Sequence, residues 1–223
     1  GLIKKTALNE FDTKRTTGLI AINLKDEDEL IAIKQSTGSN NIIIVTKKGK
    51  CISFSEKDVR PMGRIASAVR AIKLDKDDEV VSMELVEPEQ QLMVVTENGF
   101  GKRTPVEESK IQVRGGKGLL TYDKAKFSKT GALIGAMVVD ESDEILMINS
   151  DGIIIRIRAS EVSILGRATQ GVKIMKVDEG SKIVAIAKAI RDDEEEAEES
   201  SASTSNETEE QIPEFIGEDG YFS

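Results

Sequence analysis

At 223 residues the chain can form one large domain or two small ones, and its core must be aliphatic, because 39 % of residues are apolar but only 4 % are aromatic and none is Trp. With no His and a single cysteine, Cys51, it cannot build a Ser-His-Asp or Cys-His triad, a His-based zinc site or an internal disulfide. The net charge of −9 is segregated, with 30 basic and 27 acidic residues in 1–190 against one and 13 in 191–223, so the acidic total does not argue against nucleic-acid binding by the body.

The chain opens Gly1-Leu2-Ile3, without Met, and reads as a fragment or a processed chain. No apolar stretch reaches 18 residues and the start lacks a signal-peptide pattern, so no membrane partner and a cytoplasmic setting are expected. Gly1 is followed by a short strand-like run, then by the basic loop Lys14-Arg15-Thr16-Thr17-Gly18, apolar Leu19 and Ile22, and an expected strand at Leu30-Ile31-Ala32-Ile33. The sequence then repeats itself. Ile42-Ile43-Ile44-Val45 is a β-branched run too short for a helix and bounded by the turn Lys47-Lys48-Gly49-Lys50. A second run, Cys51-Ile52-Ser53-Phe54, completes a hairpin in which Cys51 reads as a plain buried thiol. A helical turn is expected at Ser55–Val59, then the loop Arg64-Ile65-Ala66-Ser67-Ala68, then Val69, Ile72 and a strand at Val80-Val81.

The third unit has Leu92-Met93-Val94-Val95, the turn Glu97-Asn98-Gly99-Phe100, the loop Arg114-Gly115-Gly116-Lys117-Gly118, Leu119, Tyr122 and a strand at Leu133-Ile134. The fourth has Ile145-Leu146-Met147-Ile148, the turn Ser150-Asp151-Gly152-Ile153, a helical turn at Ala159–Val162, the loop Arg167-Ala168-Thr169-Gln170-Gly171, Val172, Met175 and a strand at Ile183-Val184. Asn-Gly and Asp-Gly between apolar runs are strong hairpin signals. Units of about 50 residues, each with about four short strands, predict an all-β, propeller-like array of about four blades over 1–190. The segment 191–223 contains Asp192-Asp193-Glu194-Glu195-Glu196 and Ser-rich sequence, and is expected to be an acidic, disordered tail with a small apolar cluster at its end.

The periodic chemistry is basic. Lys14, Arg64, Arg114 and Arg167 open the four loops, a regularity that 31 basic residues in 223 do not supply by chance. Four residues beyond each turn glycine stand Lys5, Ser53, Arg103 and Arg156. In Ile155-Arg156-Ile157-Arg158, strand alternation puts the isoleucines on one face and both arginines on the other. One cation per unit at one level makes a positive edge that can follow a duplex through its phosphates. The run Arg114, Gly115, Gly116, Lys117, Gly118 is a poor strand and a good anion-binding loop, without the spacing of a Walker A loop. Arg15, Lys48, Lys50, Arg70, Lys102, Arg158 and Lys173 complete the candidate DNA-binding set. The alternative for such an edge is a solvated surface with ordinary ion pairs. Asp77-Asp78 and Asp192-Asp193, in a turn and in the acidic run, are rejected as magnesium sites.

Over roughly 1–190 the chain resembles the DNA gyrase A C-terminal domain family. The residues that carry the resemblance are Asn98-Gly99-Phe100-Gly101-Lys102-Arg103-Thr104, Val59-Arg60-Pro61-Met62-Gly63-Arg64 and Ile164-Leu165-Gly166-Arg167-Ala168-Thr169-Gln170-Gly171-Val172. The resemblance implies a β-pinwheel whose blades exchange strands, and double-stranded DNA wrapped on a basic edge. It implies partners in the remainder of gyrase A and in gyrase B, and a parent complex that uses ATP and Mg elsewhere, with no cofactor in this chain. It also implies no catalysis here: the family cuts with a tyrosine beside an arginine, and neither Tyr122 nor Tyr221 has that neighbour. The family's full disc has about six blades, and Val113 stands where its principal glycine-rich box has Arg. The equivalent region of topoisomerase IV and a propeller-like protein-interaction scaffold are the competing readings.

Overall fold

The computed structural model describes residues 1–189 except Arg15 and Asp26; the tail expected over 191–223 lies outside the described residues. Its strands are β1 (Leu2–Ile3), β2 (Asn41–Thr46), β3 (Lys50–Ser55), β4 (Val69–Arg70), β5 (Val80–Val86), β6 (Gln91–Thr96), β7 (Phe100–Pro105), β8 (Leu119–Leu120), β9 (Leu133–Val139), β10 (Glu144–Asn149), β11 (Ile154–Arg158), β12 (Val172–Lys173) and β13 (Ile183–Lys188). The helical pieces among them are single turns: one α turn, Phe127–Thr130, and 3₁₀ turns that include those expected at Ser55–Val59 and Ala159–Val162 and found at Glu56–Asp58 and Ala159–Glu161.

Each blade is built on a hairpin. β2 pairs with β3, β6 with β7 and β10 with β11, all antiparallel. The first two turns are three-residue loops in which glycine comes last, in the left-handed region: φ is 77° at Gly49 and 78° at Gly99. Glycine is thus needed at the bulge position rather than inside a two-residue turn. The first strand of each hairpin also pairs with a later strand, giving β2–β5, β6–β9 and β10–β13, and all three ladders slip register at the same place: Val45/Thr46, Val95/Thr96 and Ile148/Asn149.

The outer edges of β1 and of the first two hairpins are each closed by a strand from the following unit, while β11 has no such neighbour among the described residues. β4 pairs back onto β1, β8 onto β3 and β12 onto β7, giving the sheet orders β5-β2-β3-β8 and β12-β7-β6-β9. This exchange, expected from the family resemblance, is the β-pinwheel arrangement. It also explains the loop-closing glycines. A Cβ on Gly118 would lie 2.4 Å from the Cys51 carbonyl oxygen, and one on Gly171 2.5 Å from that of Gly101.

The two four-stranded sheets have both faces covered, so β2 and β6 read as unbroken apolar runs, whereas β10 and β11 of the last sheet alternate in burial. Ile42 and Ile44 pack toward Ile3, Ile52 and Phe54, while Ile43 and Val45 pack toward Leu92, Val94 and Leu133. Met93, Val95 and Val139 then meet Ile145, Met147 and Ile183. Each fully buried aliphatic side chain contributes about 1.5–3 kcal/mol. Cys51 is fully buried as expected, and burial raises its thiol pKa. Tyr122 is likewise buried, stacked on Phe127 at 5.7 Å, and donates its hydroxyl to the Gln170 carbonyl.

Two expectations are corrected. Leu30–Ile33 forms no strand, and Ile33 is 74 % exposed. In the other units the corresponding strand pairs with the first strand of a hairpin, and residues 1–36 contain only the second, so the backbone there has no ladder partner. Nor are all blades four-stranded: among the described residues the first sheet has two strands and the last has three. No helix among the described residues is long and apolar enough to cross a membrane.

Candidate nucleic-acid interface

The loops that open with a periodic cation lie next to the exchanged strands. Each loop arginine reaches back to the unit before it. The Arg64 guanidinium donates to the Ile20 carbonyl at 3.1 Å, that of Arg114 to the Arg70 carbonyl and that of Arg167 to the Leu120 carbonyl. Ile20, Arg70 and Leu120 occupy the same place, two residues beyond the loop-closing residue. The loops are therefore tied into a row, Arg114 braced on β4, Arg167 on β8, and Arg64 on the matching backbone at Ile20, which is not in a strand. Arg114 is held a second time, through Nε to the Asp58 carbonyl at 3.0 Å. The periodicity that reads as a charged edge in the sequence is thus also a mechanical one.

A second layer supports the loops from below. Lys102 is fully buried, and its ammonium donates to the carbonyls of Gly166 (2.7 Å) and Arg167 (2.5 Å) and to Thr169 Oγ1 (3.2 Å), 5.8 Å from the Tyr122 ring centroid. Arg103 is 3 % exposed and donates to the carbonyls of Val162 (2.7 Å) and Ser160 (3.3 Å) and to Gln91 Oε1 (2.6 Å). These two candidates face the inside of the blade, where they hold loop backbone and offer nothing to a phosphate. Lys5, the counterpart of Arg103, donates to the Glu56 carbonyl at 2.8 Å and stands 3.7 Å from its buried carboxylate. Burial alone would raise the Glu56 pKa, but hydrogen bonds from Ser36 and the Asn40 N–H, with the charge of Lys5, hold it below the ordinary value.

Lys4, absent from the sequence-based set, does for the second loop what Lys102 does for the fourth: it donates to the Arg64 carbonyl. The signal was present, since Lys4 and Lys102 both stand three residues beyond a turn glycine. Ile52 takes that place in the second hairpin, so the Arg114–Gly118 loop has no ammonium beneath it. It is held instead by its own backbone, with Gly115 N–H on the Ala71 carbonyl (2.8 Å) and the Gly116 carbonyl accepting from Lys73 N–H (2.8 Å). Gly115 and Gly118, at φ 84° and 71°, make this path possible.

The remaining candidates divide by exposure and pairing. Lys14, Arg70, Lys117 and Arg158 are exposed, with side chains unpartnered among the described residues. Lys173 is exposed too, 4.8 Å from the Phe100 ring centroid and donating to the Asn98 carbonyl at 3.0 Å. Arg156 is paired with Glu144, Lys50 with Asp75 at 2.8 Å, and Lys48 donates to the Lys76 carbonyl at 2.7 Å. The expected alternation holds: Arg156 and Arg158 are exposed while Ile155 and Ile157 pack on the core. Arg15 lies outside the described residues. Arg114 donates to the Arg70 carbonyl and Gly115 packs against Arg70, which joins the Arg114–Gly118 loop to the exposed Arg70.

Burial lowers the Lys102 pKa to about 8 from its usual 10.5. Between these values the unfolded chain binds the proton more tightly than the folded one, so this group makes stability rise with pH across that window. The urea midpoint of the native protein minus that of Lys102→Met is therefore expected to increase from pH 8 to 10. The difference cancels the opposing effects of Cys51 and Tyr122, whose pKa values are raised by burial. A flat difference contradicts the buried-ammonium assignment.

Comparison with known proteins agrees with this geometry. The profile of the family described as "DNA gyrase C-terminal domain, beta-propeller" matches residues 1–36, 40–87, 90–140 and 143–189, one match per unit. The chain is 40 % identical over 198 residues to the DNA gyrase A protein of Mycolicibacterium smegmatis and 41 % over 197 residues to that of Salmonella typhimurium, covering 87 % of this chain in both cases. It spans 23 % and 22 % of the length of those relatives. A solved DNA gyrase A C-terminal domain superposes with a TM-score of 0.72 at 30 % identity, over 78 % of this chain and 59 % of that one. The C-terminal domain of a DNA topoisomerase IV superposes with a TM-score of 0.81 at 24 % identity, over 92 % and 64 %, a likeness of fold. Four consecutive repeat matches and the exchanged strands place the chain in the DNA gyrase C-terminal domain, beta-propeller family.

Proposed function

We propose that this chain is a non-catalytic, DNA-wrapping part of DNA gyrase A. It would bend duplex DNA along the row of rim loops so that an ATP-dependent holoenzyme introduces negative supercoils. The observation that carries the reading is the repetition of a braced basic loop, Arg64, Arg114 and Arg167 each tied to the backbone at the same place in the unit before it. A rigid row of cations at constant spacing matches a curved phosphate backbone and reads no sequence. Lys14, Arg70, Lys117, Arg158 and Lys173 supply direct phosphate contacts; Lys102, Arg103, Lys4 and Lys5 hold the loops in place. Strand cleavage, ATP and Mg belong elsewhere in the complex, with the remainder of gyrase A and with gyrase B. The curated relatives at 40–41 % identity favour gyrase over topoisomerase IV.

The test is binding to linear duplexes of several lengths across a salt series. Affinity is expected to fall steeply with salt, and to rise with length until the duplex spans the row of loops. Binding that ignores salt and length contradicts the proposal and favours a protein-interaction scaffold.

A further inference from the structure

The third unit carries a helical turn that the second and fourth lack. Ile72, Tyr122 and Met175 occupy the same place, four residues beyond the loop-closing residue, and the strands that follow them begin at Val80, Leu133 and Ile183. The connection is eleven positions long in the third unit and eight in the other two. The longer one forms the turn Phe127–Thr130 and brings Lys126 and Lys129 to the surface.

This turn is fixed at the end of the blades where the hairpins turn. Phe127 stacks on Tyr122, and its Cζ lies 3.2 Å from the Cβ site of Gly49. On its other side the Asn98 N–H donates to the Thr130 carbonyl at 3.0 Å, and the Asn98 side-chain amide to the Lys129 carbonyl at 2.9 Å. The Asn98 carbonyl in turn accepts from the Lys173 ammonium. Two ammoniums from different units therefore meet at one aromatic ring: Lys173 Nζ is 4.8 Å and Lys129 Nζ 5.5 Å from the Phe100 centroid.

Other lysines at this end are neutralised, Lys47 by Glu79, Lys50 and Lys124 by Asp75, and Lys182 by Glu97. Lys126, Lys129 and Lys173 are exposed and have no carboxylate partner among the described residues. Each ammonium has three donors, of which a ring face and one carbonyl occupy only part. The opposite end of the same blade, beyond Gln91, Pro105 and Val139, is acidic, with Glu87, Glu89, Glu107, Glu108, Asp140 and Glu141 all exposed. A polyanion on the rim is drawn toward the hairpin turns and repelled from the other end.

We propose that Lys129 and Lys173, with Lys126 beside them, form a second site for DNA phosphate, off the row of rim loops on its hairpin-turn side, so that the duplex tilts toward that end as it passes the third blade. The site presupposes that the chain wraps DNA. It adds a contact outside the periodic set, because Lys126 and Lys129 have no counterpart in the shorter connections.

The test is binding to linear duplexes of unrelated sequence across a salt series. Lys129→Ala is expected to reduce the dependence of log affinity on log salt by about 0.9, the counterion release of one phosphate contact, and Lys129→Arg to restore it. Lys57→Ala removes the same charge from the exposed far end of the second blade and leaves the slope unchanged. In a second measurement a photoreactive azidophenacyl group is attached to Ser128→Cys or to Ser39→Cys, both at exposed positions, one on the helical turn and the other at the far end; Cys51 is buried and out of its reach. The group at 128 crosslinks the duplex and the group at 39 does not. If the native chain binds with steep salt dependence but Lys129→Ala keeps the native slope, or the two groups crosslink equally, the site is overturned while the wrap along the loops stands. If the native chain binds without salt dependence, the DNA-wrapping reading fails and the site with it.

Discussion

Replacing Gly99 by alanine is expected to lower the unfolding free energy by about 3–5 kcal/mol, among the largest effects of any single substitution in this chain. Two costs add. Gly99 has φ of 78°, where a side chain strains the backbone. Its Cβ would also lie 2.0 Å from the Met175 carbonyl oxygen and 3.0 Å from the carbonyl carbon. That neighbour is main chain and cannot rotate away. It belongs to the exchanged segment, which is bound to Gly99 itself: the N–H groups of Ile174 and Met175 both donate to the Gly99 carbonyl, at 2.8 and 3.1 Å. The methyl group therefore has to push β12 off β7, and with it the loop that carries Arg167. Gly152→Ala is the control. Gly152 occupies the same turn position with φ of 81°, but nothing lies within 4 Å of its Cβ site, so only the backbone cost of about 1–2 kcal/mol remains. Urea denaturation of the two variants measures the difference. Equal losses would mean that the exchanged strand yields freely to its hairpin.

The same contrast shows what was legible in the sequence. The period, the hairpins and the positions of the loop cations follow from local chemistry: β-branched runs, turn glycines and a basic residue at a fixed offset. The strand exchange itself is not written locally, because Leu119-Leu120 and Val172-Lys173 are two-residue segments that no periodicity distinguishes from loop. The family resemblance, rather than the pattern, supplied it. The sequence also assigned every periodic cation to the edge, whereas the structure divides them by depth. Lys102 and Arg103 sit beside Gly101 on a strand whose both faces are covered, so their long stems run inward and their charges end on loop carbonyls. A buried cation on a strand is unusual enough that composition predicts exposure for it. Leu30–Ile33 failed for the converse reason: its apolar pattern is right, but a strand forms only where a ladder partner exists.

The division by depth makes the second large effect separable from stability. Lys117→Ala and Arg70→Ala remove exposed side chains without partners among the described residues, so their unfolding free energies should stay within about 0.5 kcal/mol of the native value. In DNA binding each should reduce the dependence of log affinity on log salt by about 0.9, the counterion release of one phosphate contact. Arg114→Ala should do both kinds of damage. It leaves the Asp58 and Arg70 carbonyls without their guanidinium, at a cost of about 1–2 kcal/mol in stability, and removes a charge from the rim. Arg114→Ala combined with Lys117→Ala is expected to weaken binding by about a hundredfold or more at low salt, equally on duplexes of unrelated sequence, because backbone contacts carry no base information. Lysine at 114 keeps the charge but lacks the planar fork that bridges two carbonyls, so Arg114→Lys should recover the salt slope and not the stability. A loss confined to one duplex sequence, or a salt slope unmoved by Lys117→Ala, would remove this loop from the DNA path and leave its arginine as a brace alone.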